Sequence, residues 1–190
     1  MLTTIFENKI WSSTFKTDLK DYCNFIRDND SGRQLSNVGG YQSNLLNLQE
    51  PVLQPLLHFI HKETLEYSKS FDLNCSDYTI DNMWLNINYY KDYNEPHIHF
   101  GALFSGVYYV EVPENGGVIG FTRPDADIME AMSVSHFVKK YNSLNTLNVG
   151  GPTATHSCFI FPGYYKHSVR PNMNKEHPRY SLSFNIIPKL

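Results

Sequence analysis

The chain has 190 residues, of which 41% are hydrophobic and 18% are charged, and its formal net charge is −3. This length and balance predict one soluble globular domain with a core of its own. The small negative charge gives no electrostatic reason to expect a nucleic acid or an anionic membrane as a partner. No apolar run is long enough to cross a bilayer, and the N-terminus lacks the pattern of a signal peptide. The three cysteines lie far apart, which predicts reduced thiols and a cytoplasmic protein.

Helical periodicity occurs in two segments of the first third of the chain. In residues 17–29, four apolar side chains fall on one helical face: Leu19, Tyr22, Cys23 and Ile26. Residues 51–71 repeat this spacing, and Pro51 or Pro55 can lie in the first turn, where a missing N–H costs little. We therefore expect helices that support the rest of the fold over about residues 1–75.

From residue 78 the sequence changes to short runs of strand-forming residues separated by turn signals. We predict strands over 83–90, 105–112, 118–121, 156–162, 167–171 and 179–187. The "PENGG" stretch between the second and the third of these is typical of a hairpin turn. The irregular residues 123–153 are a candidate substrate lid. Helices followed by many short strands indicate a single, mainly β domain over residues 1–190, with its β core over about 78–190.

The stretch "EPHIHF" at residues 95–100 contains His97 and His99, two residues apart and among strand-forming residues. Side chains at i and i+2 of a strand point to the same face, about 7 Å apart, so two imidazoles can converge on one metal ion. His167, at the start of a later predicted strand, is a candidate third ligand. Taken singly, each of these histidines also fits ordinary packing or a place on the surface.

Arg179 and Ser181 lie two residues apart in the last predicted strand and therefore share one of its faces. A guanidinium beside a hydroxyl is a good clamp for a carboxylate. An arginine alone near the end of a chain more often makes a surface ion pair. The order His-x-His, hairpin, His and Arg-x-Ser, however, would hold a metal ion with a small dicarboxylate beside it.

The chain resembles the 2-oxoglutarate and Fe(II)-dependent oxygenases of the double-stranded β-helix fold, which is also described as jelly-roll or cupin-like. Within them it resembles a group known mainly from marine bacteria and their viruses. The matching segments extend nearly end to end: "TIFENKIW", "SNVGGYQS", "WLNINYYKDYNEPHIH", "SGVYYVEVP", "FPGYYKHSVRPN" and "RYSLSFNI". The stretch "SGVYYVEVPENGGVIGF" is similar, more distantly, to the prolyl hydroxylases. The resemblance implies a mainly β fold with N-terminal helices packed on its major sheet.

The resemblance also implies a role for each candidate residue. His97 and His167 match the first and the distal histidine ligands of the family. Arg179 matches the arginine that grips the C5 carboxylate of 2-oxoglutarate, and Tyr109 matches a tyrosine that hydrogen-bonds the same group in the prolyl hydroxylases. Residues beside the arginine, or on a strand whose counterparts often reach the cosubstrate, complete the implied set: Ser181, Asn86 and Asn88. The sequence does not fix which way the two asparagines face.

His99 departs from the family pattern, which has an aspartate or a glutamate two residues after the first histidine. Three neutral imidazoles leave an Fe(II) site more positive by one charge than two imidazoles and a carboxylate do. We nevertheless predict His97, His99 and His167 as the metal ligands, because Fe(II) accepts imidazole well. Glu95 or Glu111 is the alternative source of a third ligand.

The implied activity is hydroxylation of an unidentified substrate with Fe(II), 2-oxoglutarate and O2, releasing succinate and CO2, with ascorbate as a supporting reductant. The substrate would be a peptidyl side chain or a small metabolite, and the setting would be the cytoplasm of a bacterial cell, with a viral gene as an alternative source. Two other interpretations stay open. One is a non-catalytic β-barrel that binds a small acid or a sugar, and the other is a three-histidine iron dioxygenase that does not use 2-oxoglutarate.

Overall fold

The computed structural model describes residues 1, 3–4 and 7–189, so two residues of the "TIFENKIW" segment, 5 and 6, lie outside the described residues. The helices in this part of the chain are α1 (Lys20–Asn29), α2 (Gln54–Ser68) and α3 (Ala126–Ala131), with short 3₁₀ turns at Pro51–Leu53, Lys69–Phe71 and Val134–Phe137. The two helices predicted in the first third are therefore confirmed. None of the helices in the described ranges combines the length and the apolar character that a bilayer crossing needs.

The strands form two antiparallel sheets. In chain order they are β1 (Trp11–Thr14), β2 (Asn37–Val38), β3 (Tyr41–Gln42), β4 (Tyr78–Asn88), β5 (Tyr93–His97), β6 (Phe104–Glu111), β7 (Ile119–Thr122), β8 (Asn148–Gly150), β9 (Ser157–Pro162), β10 (His167–Val169) and β11 (Arg179–Pro188). The major sheet has the order β1-β9-β6-β11-β4-β3, and the minor sheet has the order β2-β5-β10-β7-β8.

The outer face of the major sheet is apolar and carries the helices. Successive side chains of a strand alternate between its faces. On β4 and β11, the side chains of the outer face are buried: Met83, Leu85, Ile87, Tyr180, Leu182, Phe184 and Ile186. Leu56 and Ile60 of α2 pack into the same core, together with Leu19 and Cys23 of the α1 region. The N-terminal helices thus pack on the major sheet, as the resemblance implied.

The inner face of the major sheet, toward the minor sheet, carries the opposite alternation and is largely polar. β11 pairs with β4 so that Arg179 lies opposite Asn88, and Ser181 lies opposite Asn86. On its other side, β11 pairs with β6 so that Ser181 lies opposite Tyr109. The two asparagines whose direction the sequence left open therefore belong to the same face as the predicted clamp. A small apolar cluster fills the remaining space: Val107, Tyr109, Ile119, Phe159 and Phe161.

The predicted hairpin between residues 105–112 and 118–121 is wrong. β6 lies between β9 and β11 in the major sheet, whereas β7 lies between β10 and β8 in the minor sheet. The "PENGG" turn therefore carries the chain from one sheet to the other. Its Gly117 has a φ of +78°, and a Cβ there would lie 2.7 Å from Nη1 of Arg179. Glycine is needed here because the backbone is left-handed and packs against a buried arginine. Hairpin turns also favour glycine with a positive φ, so the sequence signal is the same in both cases.

The segment predicted as helical support also contributes strands to both sheets. β1 pairs with β9, β2 pairs with β5, and β3 pairs with β4. Each of these strands has four residues or fewer, which is too short for a periodic pattern to be recognised in a sequence. The candidate lid over 123–153 contains α3, a 3₁₀ turn and β8, and its role stays a prediction.

Candidate metal centre

Three histidines meet on the minor sheet. His167 opens β10 and lies directly opposite His97, the last residue of β5. His99 lies two residues beyond the end of β5, where its backbone N–H donates to the carbonyl of Gly163 at 2.8 Å. One ligand atom from each imidazole can be chosen so that all three lie within 4.8 Å of one another. The structure thus assembles the set of histidines that the sequence singled out, although only one of the two in "EPHIHF" is in the strand.

Backbone carbonyls fix the tautomer of two of the rings. Nδ1 of His97 is 2.7 Å from the carbonyl oxygen of Glu95, and Nδ1 of His167 is 2.9 Å from that of Tyr165. A carbonyl can only accept, so each Nδ1 carries the hydrogen and each Nε2 presents its lone pair. Nε2 of His167 lies 3.3 Å from Nε2 of His99. Imidazoles oriented by a carbonyl at one nitrogen, with the other nitrogens converging, are the usual arrangement around a metal ion.

Burial keeps the three imidazoles neutral. Loss of solvation, together with the neighbouring His97 ring, lowers the pKa of His167 to about 3 and the pKa of His99 to about 4. Burial also lowers the pKa of His97 itself. Neutral imidazole is the form that binds metals, so near pH 7 these groups need not release a proton to become ligands.

Aromatic side chains hold the rings in place. The Trp84 ring stacks on His99, with 5.7 Å between ring centres and 24° between planes. The Phe161 ring meets His167 edge-on at 4.6 Å. Asn185, the next inward-facing residue after Ser183 on β11, lies near His99 and opposes part of the lowering of its pKa. Neither Trp84 nor Asn185 was singled out in the sequence, although both follow the inward alternation of their strands.

No carboxylate joins the histidine cluster in the ranges 1, 3–4 and 7–189. Glu111, proposed as an alternative ligand, instead pairs with Lys20 of the α1 region at 2.5 Å, on the outer side of the major sheet. Glu95 offers its backbone carbonyl to His97, and its residue is exposed. The donor set is therefore three imidazole nitrogens, which suits Fe(II) as well as other divalent transition metals.

Arg179 is fully buried at the start of β11. Its Nη1 donates to the carbonyls of Gly116 and of Arg170, the latter at 3.1 Å, and its Nη2 donates to Oδ1 of Asn88 at 2.8 Å. Its Nε has no partner within the described residues, and no carboxylate there lies within 4.0 Å of the guanidinium. Burial lowers the pKa of Arg179. The charge of Asp92 opposes this shift from beyond ion-pair distance. A buried cation without a carboxylate in contact favours an anionic ligand.

Other unsatisfied groups lie beside this arginine. Tyr109 is fully buried, and its hydroxyl lacks a hydrogen-bond partner in the part of the chain that the structure describes. Burial raises the pKa of Tyr109, and the nearby charge of Arg179 opposes this shift. Ser181 lies between Tyr109 and Asn86 in the sheet. The predicted carboxylate contacts are thus brought together, except that Asn88 is engaged with the arginine and orients it.

A narrow cavity lies beside the histidines, and neither Arg179 nor Tyr109 lines it. It is lined by all three histidines and by Asn86 and Ser181, and its volume is about 30 Å³. This space holds no more than one or two water molecules. A dicarboxylate reaching from the histidines to Arg179 would therefore displace the side chains that close the cavity. The three imidazole nitrogens and the unpaired buried polar groups suit a metal ion with an anionic chelator. The cavity is too narrow for that chelator until the surrounding side chains move.

Comparisons with known proteins concern the family and the fold. The family model described as "Putative 2OG-Fe(II) oxygenase" matches residues 82–185. No curated protein matches the chain at a significant level. Among solved structures, a Pseudomonas putida prolyl-4-hydroxylase is 11% identical with a TM-score of 0.66, covering 96% of this chain and 94% of its own. The viral collagen prolyl hydroxylase of Paramecium bursaria Chlorella virus-1, solved with 2OG, is 15% identical with a TM-score of 0.56, covering 93% and 94%.

A third solved structure is HygX from Streptomyces hygroscopicus, with nickel and 2-oxoglutarate bound. It is 8% identical with a TM-score of 0.61, covering 96% of this chain and 84% of its own. At such identities, the likeness concerns the fold. The prediction of a double-stranded β-helix with N-terminal helices on its major sheet is confirmed.

Proposed function

We propose, from the premise that the chain belongs to the 2OG-Fe(II) oxygenase family, that it oxidises an organic substrate with Fe(II), 2-oxoglutarate and O2. His97, His99 and His167 would hold the metal ion. The reaction would be hydroxylation, in which one oxygen atom of O2 enters the substrate and the other enters succinate as CO2 leaves. Ascorbate would support the activity by keeping the iron reduced.

The observation that carries this proposal is the fully buried Arg179, which lies on the inner face of the major sheet and makes no ion pair within 4.0 Å in the described residues. A structural arginine is usually paired or exposed. Here three N–H groups are used by protein acceptors, which leaves two of the five for a ligand. A carboxylate is the partner that matches the planar donor edge of a guanidinium.

The residues of the chain would share the work as follows. Arg179, Tyr109 and Ser181 would bind the far carboxylate of 2-oxoglutarate and so orient its other end toward the histidines. The carbonyls of Glu95 and Tyr165 would keep two imidazoles in the tautomer that binds metal. The rings of Trp84 and Phe161 would limit the access of water around the metal centre. When bound at these residues, the metal ion and 2-oxoglutarate would together activate O2.

The test combines two measurements on the same protein. Under anaerobic conditions, addition of 2-oxoglutarate to the Fe(II) protein should produce a metal-to-ligand charge-transfer absorbance. With O2 and ascorbate, the protein should convert 2-oxoglutarate into succinate in amounts that depend on Fe(II). Iron binding without the absorbance would favour the three-histidine dioxygenase. Failure to bind iron would favour the non-catalytic barrel.

A further inference from the structure

A groove open to solvent adjoins the histidines. It is lined by residues from segments 33–45 and 95–100, including His97 and His99, and its volume is about 600 Å³. This size is typical of sites for small organic molecules. We propose that the groove binds the primary substrate and that Arg33 recognises a carboxylate on it. The identification of the occupant as the primary substrate rests on the proposed function, whereas the carboxylate site itself does not.

Arg33 has donor groups that protein acceptors do not use. Its guanidinium carbon lies 5.8 Å from the centre of the Trp84 ring. Its Nε is buried and has no hydrogen-bond partner, and no carboxylate lies within 4.0 Å of its side chain, among the residues that the structure describes. Stacking on an aromatic face leaves the in-plane N–H groups of a guanidinium free to bind an acceptor. A buried N–H without a partner is unfavourable until a ligand supplies one.

The backbone that carries Arg33 is attached to the major sheet. Its N–H donates to the carbonyl of Gln42 at 2.7 Å. Gln42 belongs to β3 and lies opposite Asn86 of β4. The Gln42 side chain lines the groove but is only 2% exposed, and its Oε1 has no partner within the described ranges. The groove therefore has a fixed wall with an unused cationic donor and an unused amide oxygen.

Arg33 lies within reach of the metal centre. The Trp84 ring, 5.8 Å from the guanidinium carbon, is also stacked on His99 with 5.7 Å between ring centres. The guanidinium carbon is thus no farther than about 11.5 Å from the centre of the His99 ring. One small molecule can therefore place a carboxylate at Arg33 and a C–H bond beside the histidines.

The charges around the groove favour a carboxylate over a phosphate. Among the described residues that line it, Arg33 is the only lysine or arginine, and Glu95 is the only acidic residue. Glu95 is exposed and makes no ion pair within the described part of the chain. A phosphate monoester would bring nearly two negative charges to one guanidinium and into the repulsive field of that carboxylate. A single carboxylate matches the single cation.

The experiment is a binding screen with matched probes on the full chain. N-acetyl amino acids and the corresponding N-acetyl amino acid amides are compared by ligand-observed NMR, together with N-acetyl-O-phosphoserine amide. Measurements are made on the metal-free protein and on the anaerobic protein with Fe(II) and 2-oxoglutarate. At least one carboxylate should bind more tightly than its amide and more tightly than the phosphate ester.

Variants then test the assignment to Arg33. For the best carboxylate, Arg33→Met should raise Kd by about 10- to 100-fold, the range expected for losing a charged hydrogen bond at a half-buried site. Arg33→Lys should recover part of the loss because an ammonium keeps the charge without the fork. The matched control is Arg27→Met, because Arg27 lies on the α1 helix and pairs with Asp28. This variant should bind the carboxylate with the same Kd as the original protein.

Three results would overturn the proposal: carboxylates that bind no better than their amides, a phosphate ester that binds most tightly, or an unchanged Kd in Arg33→Met. Its failure can be distinguished from failure of the proposed function. Arg33-dependent carboxylate binding by a protein that neither retains iron nor forms succinate would support the carboxylate site and overturn the oxygenase assignment.

Discussion

Replacement of Arg179 by alanine should weaken 2-oxoglutarate binding by about 30- to 5000-fold while leaving Fe(II) binding intact. The side chain is fully buried, and no carboxylate in the described residues lies within ion-pair distance of it, although the charge of Asp92 favours the cation from farther away. Breaking a desolvated charged hydrogen-bonded pair from one side costs about 2–5 kcal/mol. At about 1.36 kcal/mol for each factor of ten, that cost gives the stated range of about 30- to 5000-fold in Kd.

The same substitution also affects the stability of the fold. Arg179 satisfies the carbonyls of Gly116 and Arg170 and the side-chain oxygen of Asn88. Their loss leaves buried acceptors unpaired, at about 1–3 kcal/mol each when solvent cannot reach them. Arg179→Lys is therefore the companion variant, since it keeps a buried cation. It should recover only part of the affinity, because an ammonium cannot reproduce the planar fork.

The assay is an anaerobic titration of 2-oxoglutarate into the Fe(II) protein, followed by its charge-transfer absorbance. Iron content and circular dichroism of each variant are measured first, so that unfolding is separated from loss of binding. Arg27→Ala, on the α1 helix, is the matched control and should bind like the original protein. An unchanged Kd in folded Arg179→Ala would refute the reasoning, because the buried guanidinium would then have no role in binding the cosubstrate.

Three further predictions concern the metal centre and the buried tyrosine. His97→Ala and His167→Ala should each abolish iron retention after gel filtration, whereas His99→Asp should keep the ion because a carboxylate oxygen is an accepted ligand of Fe(II); full occupancy in both alanine variants would move the site elsewhere. Tyr109→Phe removes a hydroxyl without a partner among the described residues, so the free energy of unfolding should change by less than about 1 kcal/mol while 2-oxoglutarate binds roughly 10-fold more weakly; equal affinity would exclude the hydroxyl from the site. The metal-free protein should lose stability as the pH falls from about 6.5 toward about 4, because burial lowers the pKa of His99 to about 4 and of His167 to about 3, so that the unfolded chain takes up protons first. These two groups contribute at most about 2.7 kcal/mol per pH unit to the slope. Urea unfolding at pH 7 and pH 5 should therefore show a smaller loss of stability in His99→Gln/His167→Gln, in which His97 remains, than in the original protein; a slope that is equal in both would contradict the assignment.

The alternation of the long strands could be predicted from the sequence, and so could much of the candidate site. Arg179 and Ser181 are two residues apart on a strand of ten residues, so their shared face follows from strand geometry alone. The facing of Asn86 could not be predicted, because it depends on the partners that bury the other side of β4. His97 and His167 are 70 residues apart in the chain, so no local pattern predicts that they pair across two strands. Only their shared ability to bind a metal ion suggested that they meet.

Errors occurred where local signals have more than one structural outcome. The glycines of "PENGG" are compatible with a hairpin and with a crossing between sheets. The chain crosses here because β9 and β11 pair with the two edges of β6, which leaves no edge for β7. Glu111 shares the parity of Tyr109, but an irregularity in the pairing of β6 with β11 intervenes, and its carboxylate pairs with Lys20. Arg33 was missed because it lies outside any periodic element, between α1 and β2.

The most direct test of the three-histidine site is a crystal structure of the protein grown anaerobically with Fe(II) and 2-oxoglutarate, with the ion identified by anomalous scattering at the iron edge. We expect Nε2 of His97 and Nε2 of His167 at about 2.0–2.2 Å from the ion, a nitrogen of His99 at a similar distance, and the far carboxylate of 2-oxoglutarate on Arg179. An ion more than about 3 Å from every nitrogen of His99, or a cosubstrate that does not reach Arg179, would contradict the account.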